Sequence, residues 1–188
     1  MSHFFLMERP GGHYQLCDAS MNKQDNGLCW GDFIDGAKLR TDQVEEPILV
    51  DLRYPEDVMP EIFESPLLIS DEFLADLLNF GIDNIDAYEC HLIDGESGKV
   101  WTNYKLCNII GLLDVFDMQA STLNDGSSPE VALLFDDIVI NESKAAGHHL
   151  FRPAGKMSSI LVSQELKDYI EGLGKYKNVE FVHPSEYA

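Results

Sequence analysis

Basic residues are what this sequence lacks most. From Tyr54 to Gly98 it has no lysine and no arginine, while the same stretch holds twelve carboxylates: Glu56, Asp57, Glu61, Glu64, Asp71, Glu72, Asp76, Asp83, Asp86, Glu89, Asp94 and Glu96. A surface built from such a stretch repels nucleic acid and anionic lipid, and attracts a basic partner. No run approaches the eighteen or so apolar residues of a membrane span, and the start, MSHFFLMERPGGHY, has no basic segment leading into an apolar one, so the chain reads as cytoplasmic, with no membrane partner. Cys17, Cys29, Cys90 and Cys107 stand singly without CxxC spacing, which favours reduced core thiols over a zinc ribbon or a redox pair. The sequence also lacks GxGxxG, a Walker A loop, HExxH and GxSxG, and with them the usual signatures of dinucleotide, nucleotide, zinc-protease and serine-hydrolase chemistry.

The deficit of positive charge is uneven. Overall there are 33 acidic and 13 basic residues, a net charge of −20; after Ile140 the two kinds balance at six each, so the first 140 residues carry the whole excess. With 45% apolar residues over 188 positions, the chain can bury a sizeable core. It suits one compact domain (1–188), or two fused halves at about 1–98 and 99–188.

Two stretches share one pattern. In Leu67 to Gly81, LLISDEFLADLLNFG, Ser70 is placed to cap a helix over Asp71 to Phe80, with Phe73, Leu74, Leu77 and Leu78 facing the core. In Ile160 to Gly174, Ser163 caps a helix whose apolar face is Leu166, Tyr169, Ile170 and Leu173. Glycines stop both. At a constant offset of 93, Ser70 matches Ser163, Glu72 matches Glu165, Phe73 matches Leu166, Leu77 matches Ile170 and Gly81 matches Gly174. Both stretches read as strand, capped helix and returning strand.

Elsewhere His3 to Met7, Ile48 to Leu52, Ile85 to Ile93 and Val131 to Ile140 read as strands, and Tyr104 to Leu113 as one central strand. A turn at Pro10 to Gly12 leads to a partner strand at Tyr14 to Cys17, residues 18–47 read as loop with at most short strands, and 114–125 as loop. The fold class expected is α+β: mixed or antiparallel sheets with two short strand-helix-strand units and few helices.

One order of signals ties these pieces together: Tyr104 to Ile110, then Asp114, Asp117 and Ser121, then Phe151-Arg152, then Ile160-Leu161-Val162-Ser163 and a final Val179-Glu180-Phe181. This layout resembles immunity protein family 11 of bacterial polymorphic toxin systems. Gly174-Lys175-Tyr176-Lys177-Asn178 departs from that pattern, standing where the family has a compact threonine-glycine turn. The resemblance implies a small bacterial protein that binds and neutralises a cognate toxin, with no cofactor and no catalysis of its own. The family-like positions Asn108, Asp114, Asp117, Ser121, Phe151, Arg152 and Ser163 read as structural, with Asn108 serving backbone groups beside a sheet and Arg152 reaching Asp114 or Asp117.

The toxin expected is a basic domain, and Glu56, Asp57, Glu61, Glu64, Asp71, Glu72 and Asp76 are the candidates to meet it. Two other readings stand beside this one. A hydrolase would gather His91 or His149 with a carboxylate and a nucleophile in a cleft. A nucleic-acid mimic would space exposed carboxylates regularly along one face. Metal binding is not expected: adjacent His148 and His149 on extended chain point to opposite faces.

Overall fold

A computed structural model describes residues 3–10, 18–21, 28–40, 42, 44–53, 58–127 and 133–186. The turn expected at residues 10–12, the strand at 14–17 and the first residues of the strand at 131–140 lie wholly or partly outside these. The described strands are β1 (Phe4–Glu8), β2 (Asp18–Met21), β3 (Ile48–Arg53), β4 (Ile62–Glu64), β5 (Leu67–Ser70), β6 (Ile85–Asp94), β7 (Val100–Trp101), β8 (Tyr104–Ile109), β9 (Leu112–Leu113), β10 (Thr122–Leu123), β11 (Phe135–Asp137), β12 (Leu150–Pro153), β13 (Leu161–Ser163) and β14 (Glu180–Val182). The described helices are α1 (Asp71–Phe80), α2 (Glu142–Ala145) and α3 (Gln164–Leu173), with single 3-10 turns at Trp30–Phe33 and Pro184–Glu186. The fold is α+β. One sheet runs β14-β1-β13-β12-β9, a second runs β2-β3-β6-β8-β5-β4 with β7 beside β6, and β10 pairs with β11. The pairs β3–β6 and β9–β12 are parallel and the other ladders antiparallel, so both large sheets are mixed.

The two capped helices form as the sequence dictates. Ser70 Oγ accepts from the Phe73 amide at 3.3 Å and Ser163 Oγ from the Leu166 amide at 3.2 Å; each oxygen satisfies an amide with no partner in its own first turn. Gly81 and Gly174 end the helices at φ 110° and 66°, in the left-handed region where a side chain is strained. Asp71–Phe80 and Gln164–Leu173 coincide residue for residue at the offset of 93.

The returning strands do not pair with the strands that precede the helices. In each unit a third strand is inserted between them: β8 separates β5 from β6, and β1 separates β13 from β14. Both units are therefore split β-α-β motifs, and the inserted strand comes from elsewhere in the chain. The units face one another across a shared core. Phe73, Leu74 and Leu77 of α1 and Leu166 and Ile170 of α3 lie with Met7, Ile62, Ile69, Cys107, Ile109 and Val162 from both sheets.

Leu78, expected in the core, is 50% exposed. At 3.6 residues per turn it stands about 140° round the helix from Phe73, whereas Phe80 comes within about 20°. Phe80 takes its place, edge-on to His149 and tilted against Tyr169.

Tyr104 to Leu113 is not one strand. β8 ends at Ile109; Gly111, at φ 91°, redirects the chain, its amide donating to Gly36 O at 2.8 Å, and Leu112–Leu113 joins Arg152–Pro153 in the other sheet. Of the strand expected at 131–140, the described part is Phe135–Asp137 and a single bridge from Ile140 to Phe116. Thr122–Leu123, in a stretch read as loop, pairs with it.

Glu8 stands opposite Glu180 in the β1–β14 ladder, a like-charge pair. Burial, then Glu64 and Glu180, raises its carboxyl from 4.5 to about 6, against the pull of Lys156. The folded chain therefore holds this proton to a higher pH than the unfolded chain, and stability falls as pH rises from 4.5 to about 6. A shift of this size corresponds to about 2 kcal/mol, which solvent screening at a half-buried site reduces to about 1 kcal/mol. Urea denaturation should show Glu8→Gln more stable than the parent by that amount at pH 7 and equal to it near pH 4.

Candidate functional site

Of the acids that the sequence singles out, Glu61, Asp71 and Glu72 lie around the start of α1, with Asp76 further along the helix. Ser70 and Glu72, Met59 and Glu61 before β4, Asn103 and Tyr104 at the start of β8, and Lys175 and Tyr176 after α3 line one cleft of about 230 Å³. Oε2 of Glu61 is buried there without a hydrogen-bond partner, while the Tyr104 hydroxyl donates to Pro60 O at 2.8 Å. Asp71 and Glu72 occupy the first turn of α1, where a negative charge meets the positive end of the helix dipole.

Lysines from distant parts of the chain reach these acids. Lys175 Nζ lies 2.8 Å from Glu72 Oε1 and 2.7 Å from Asp76 Oδ2. The Tyr176 hydroxyl donates to Asp76, and its ring packs edge-on against Phe73 at 4.7 Å. Hydrogen bonds from Lys175, then Tyr176, hold the Asp76 carboxyl below its usual value, and the same contacts, Asp76 before Glu72, raise Lys175. The segment that departs from the family-like layout is thus the one that clamps α3 to the outer face of α1. Lys105 Nζ bridges Asp71 Oδ1 at 3.2 Å and Glu89 Oε2 at 3.0 Å; burial pulls its ammonium down, and the two carboxylates outweigh that and leave it raised.

Of the candidate acids, Asp71 and Glu72 are exposed, Asp76 is half-buried behind Lys175, and Glu61 sits at the edge of the cleft. Glu64 is elsewhere. It is 6% exposed, accepts from the Arg9 amide at 2.6 Å and lies 3.4 Å from Arg9 Nε, so it stands inside the protein. Glu56 and Asp57 lie outside the described residues. The partnering lysines could not have been located from the acidic stretch itself, which has none of its own.

The family-like positions serve the scaffold. Asn108, fully buried, donates from Nδ2 to Ala37 O at 2.7 Å and ties the sheet to the segment covering it. Asp117 accepts from the amides of Gln119 and Ala120 at 3.0 and 3.1 Å, closing a turn, and Ser121 Oγ accepts from the Val139 amide at 2.9 Å. Phe151 packs edge-on against Phe4 at 5.5 Å. The bridge expected from Arg152 is absent: Asp114 is taken by Lys144 at 2.8 Å, and Asp117 by its own turn. Arg152 is instead wholly buried, donates from Nη1 to Met157 O, and leaves Nε and Nη2 without partners.

Neither His149 nor His183 joins a nucleophile in a catalytic chain. His149 Nδ1 is 2.8 Å from Ser163 Oγ, but that oxygen is the buried cap of α3. Burial pushes the Cys90 thiol up to about 12 and raises Cys107 as well, so neither is a thiolate at neutral pH. A second cavity, of about 500 Å³, is lined by Asp137, Glu142, His183 and Ser185 among others. There His183 Nδ1 lies 2.7 Å from Ser185 Oγ, yet it also accepts the Ser185 amide at 3.3 Å, the geometry of a local turn. A nitrogen so occupied is not free to act as a base.

Residues 41–185 match the model of the immunity protein family (Imm11). The chain belongs to this family. Membership of Imm11 makes toxin immunity its role, implies a toxin as partner and points to a non-catalytic protein. No curated protein matches the chain in sequence. Among the described residues of this Imm11 protein, no helix is long and apolar enough to cross a membrane.

Proposed function

We propose that this Imm11 protein acts in the cytoplasm of the producing cell, where it binds a cognate toxin domain through a protein-protein interface and so neutralises it. The toxin is basic, in keeping with an enzyme whose cleft is cationic, such as a nuclease. The acidic face contributed by Glu56, Asp57, Glu61, Asp71, Glu72 and Asp76 meets it; Glu64, enclosed with Arg9, is left out. The observation that carries this reading is the cleft at the start of α1, in which a buried oxygen of Glu61 has no hydrogen-bond partner and lies near the exposed carboxylate of Glu72, engaged on one oxygen by Lys175. A lysine or arginine of the toxin supplies the missing donor. Complementary charge speeds encounter, and buried anchors set the lifetime.

Reversing four charges, Glu56→Lys, Glu61→Lys, Asp71→Lys and Glu72→Lys, should slow association with the toxin about tenfold or more at low salt and flatten its salt dependence. Stopped-flow fluorescence reads both. An unchanged on-rate removes this face from the interface.

A further inference from the structure

The helices cover only half of one face of the β2-β3-β6-β8-β5-β4 sheet. On the β8-β5-β4 side, Ile62, Ile69, Cys107 and Ile109 turn inward to α1 and α3. On the β3-β6-β7 side none of the described helices packs on the same face, and Leu49 and Val100 are exposed there. The cover stops at Lys105, whose bridge to Asp71 and Glu89 marks the boundary.

The uncovered half is not the polar surface that a solvated sheet face normally presents. Strand register places Leu49 beside His91, and Ile93 between Asp51 and Val100, all on one side. Leu49 is 42% and Val100 48% exposed, while their strand neighbours Ile48, Val50 and Leu92 are buried on the opposite face. Leu49, Ile93 and Val100 thus lie diagonally across three strands, with His91 and Asp51 interspersed. Acids rim this strip: Asp51 within the sheet, Glu89 and Asp71 at the helix side, and Glu46, which accepts the Glu89 amide at 3.1 Å.

We propose that this strip is the anchoring part of the toxin interface, its apolar centre taking apolar side chains of the toxin and its acidic rim the basic groups around them. The partner's identity rests on the immunity reading above; the place does not. A second copy of this chain is the poorer occupant, because each copy carries a net charge of −20 and two such faces repel. An apolar centre sealed by a polar rim is the arrangement in which a few residues dominate affinity.

The test uses the whole chain and, as probe, the C-terminal domain encoded by the adjacent gene, with affinity read by calorimetry. The double variant Leu49→Asp/Val100→Asp should bind at least tenfold more weakly and Leu49→Ala/Val100→Ala about fivefold, while Leu123→Asp, on β10, binds as the parent does. Circular dichroism confirms folding, and the alanine pair keeps the test valid if the aspartates disturb the sheet. If the parent binds and both pairs bind within twofold of it, the strip is not the interface and the immunity reading survives. A parent that does not bind the toxin removes both. A parent that sediments as a dimer which the double variant breaks makes a second copy the occupant and overturns the proposal.

Discussion

Phe73→Ala should lower the free energy of unfolding by about 3–5 kcal/mol, a large part of the roughly 5–15 kcal/mol that holds a domain together. The ring is wholly buried where α1 faces both sheets, and its edge contact with Tyr176 links α1 to the segment after α3. Removing it costs the transfer of the ring from water and leaves a void that close-packed neighbours cannot fill. Leu166 occupies the matching place on α3, equally buried, and Leu166→Ala should cost about 2–5 kcal/mol. Leu78→Ala, on the exposed flank of α1, should stay within about 0.5 kcal/mol of the parent. Urea denaturation followed by tyrosine fluorescence and circular dichroism checks all three. A cost at Leu78 comparable with that at Phe73 would mean that the helix is turned on its axis.

Arg152→Met should stabilise the protein. The guanidinium is wholly buried, two of its nitrogens have no hydrogen-bond partner, and burial pulls its pKa from 12.5 to about 10. Among the described residues no carboxylate pairs with it; the charge leans on the Met157 carbonyl alone. An uncompensated charge in the interior costs several kcal/mol, and an apolar side chain of similar length removes that cost, for a gain of about 1–4 kcal/mol. Arg152→Ala should move the other way: both variants leave the Met157 carbonyl without this donor, but only alanine opens a cavity. Thermal and urea denaturation of both variants give the sign directly. Equal losses in the two would show that the guanidinium has a partner which methionine cannot replace.

Both helices were legible because their grammar is local. A serine, an apolar face and a glycine within fifteen residues decide where each begins, which way it faces and where it stops, and the structure places Ser70, Ser163, Gly81 and Gly174 in those roles. Leu78 misled because four apolar residues span more of the helix circumference than the core contacts. The split strand order was not legible: nothing in Leu67 to Ile85 announces that β8 will enter between β5 and β6. Nor could the run Tyr104 to Leu113 reveal that Gly111 hands its end to the other sheet. The same limit applied to the candidate site. Composition showed a stretch with acids and no bases, but Lys105 and Lys175 reach it from far along the chain, and Arg9 closes on Glu64 from 55 residues away.

The position of β1 constrains the order in which the protein can fold during synthesis. β1 lies between β13 and β14, which are made more than 150 residues later, so Phe4 waits for Ser163 and Leu6 for Val182. Until both have emerged, β1 has two open edges, so the five-stranded sheet closes late, whereas the core cluster drawn from residues 33–106 can pack well before it.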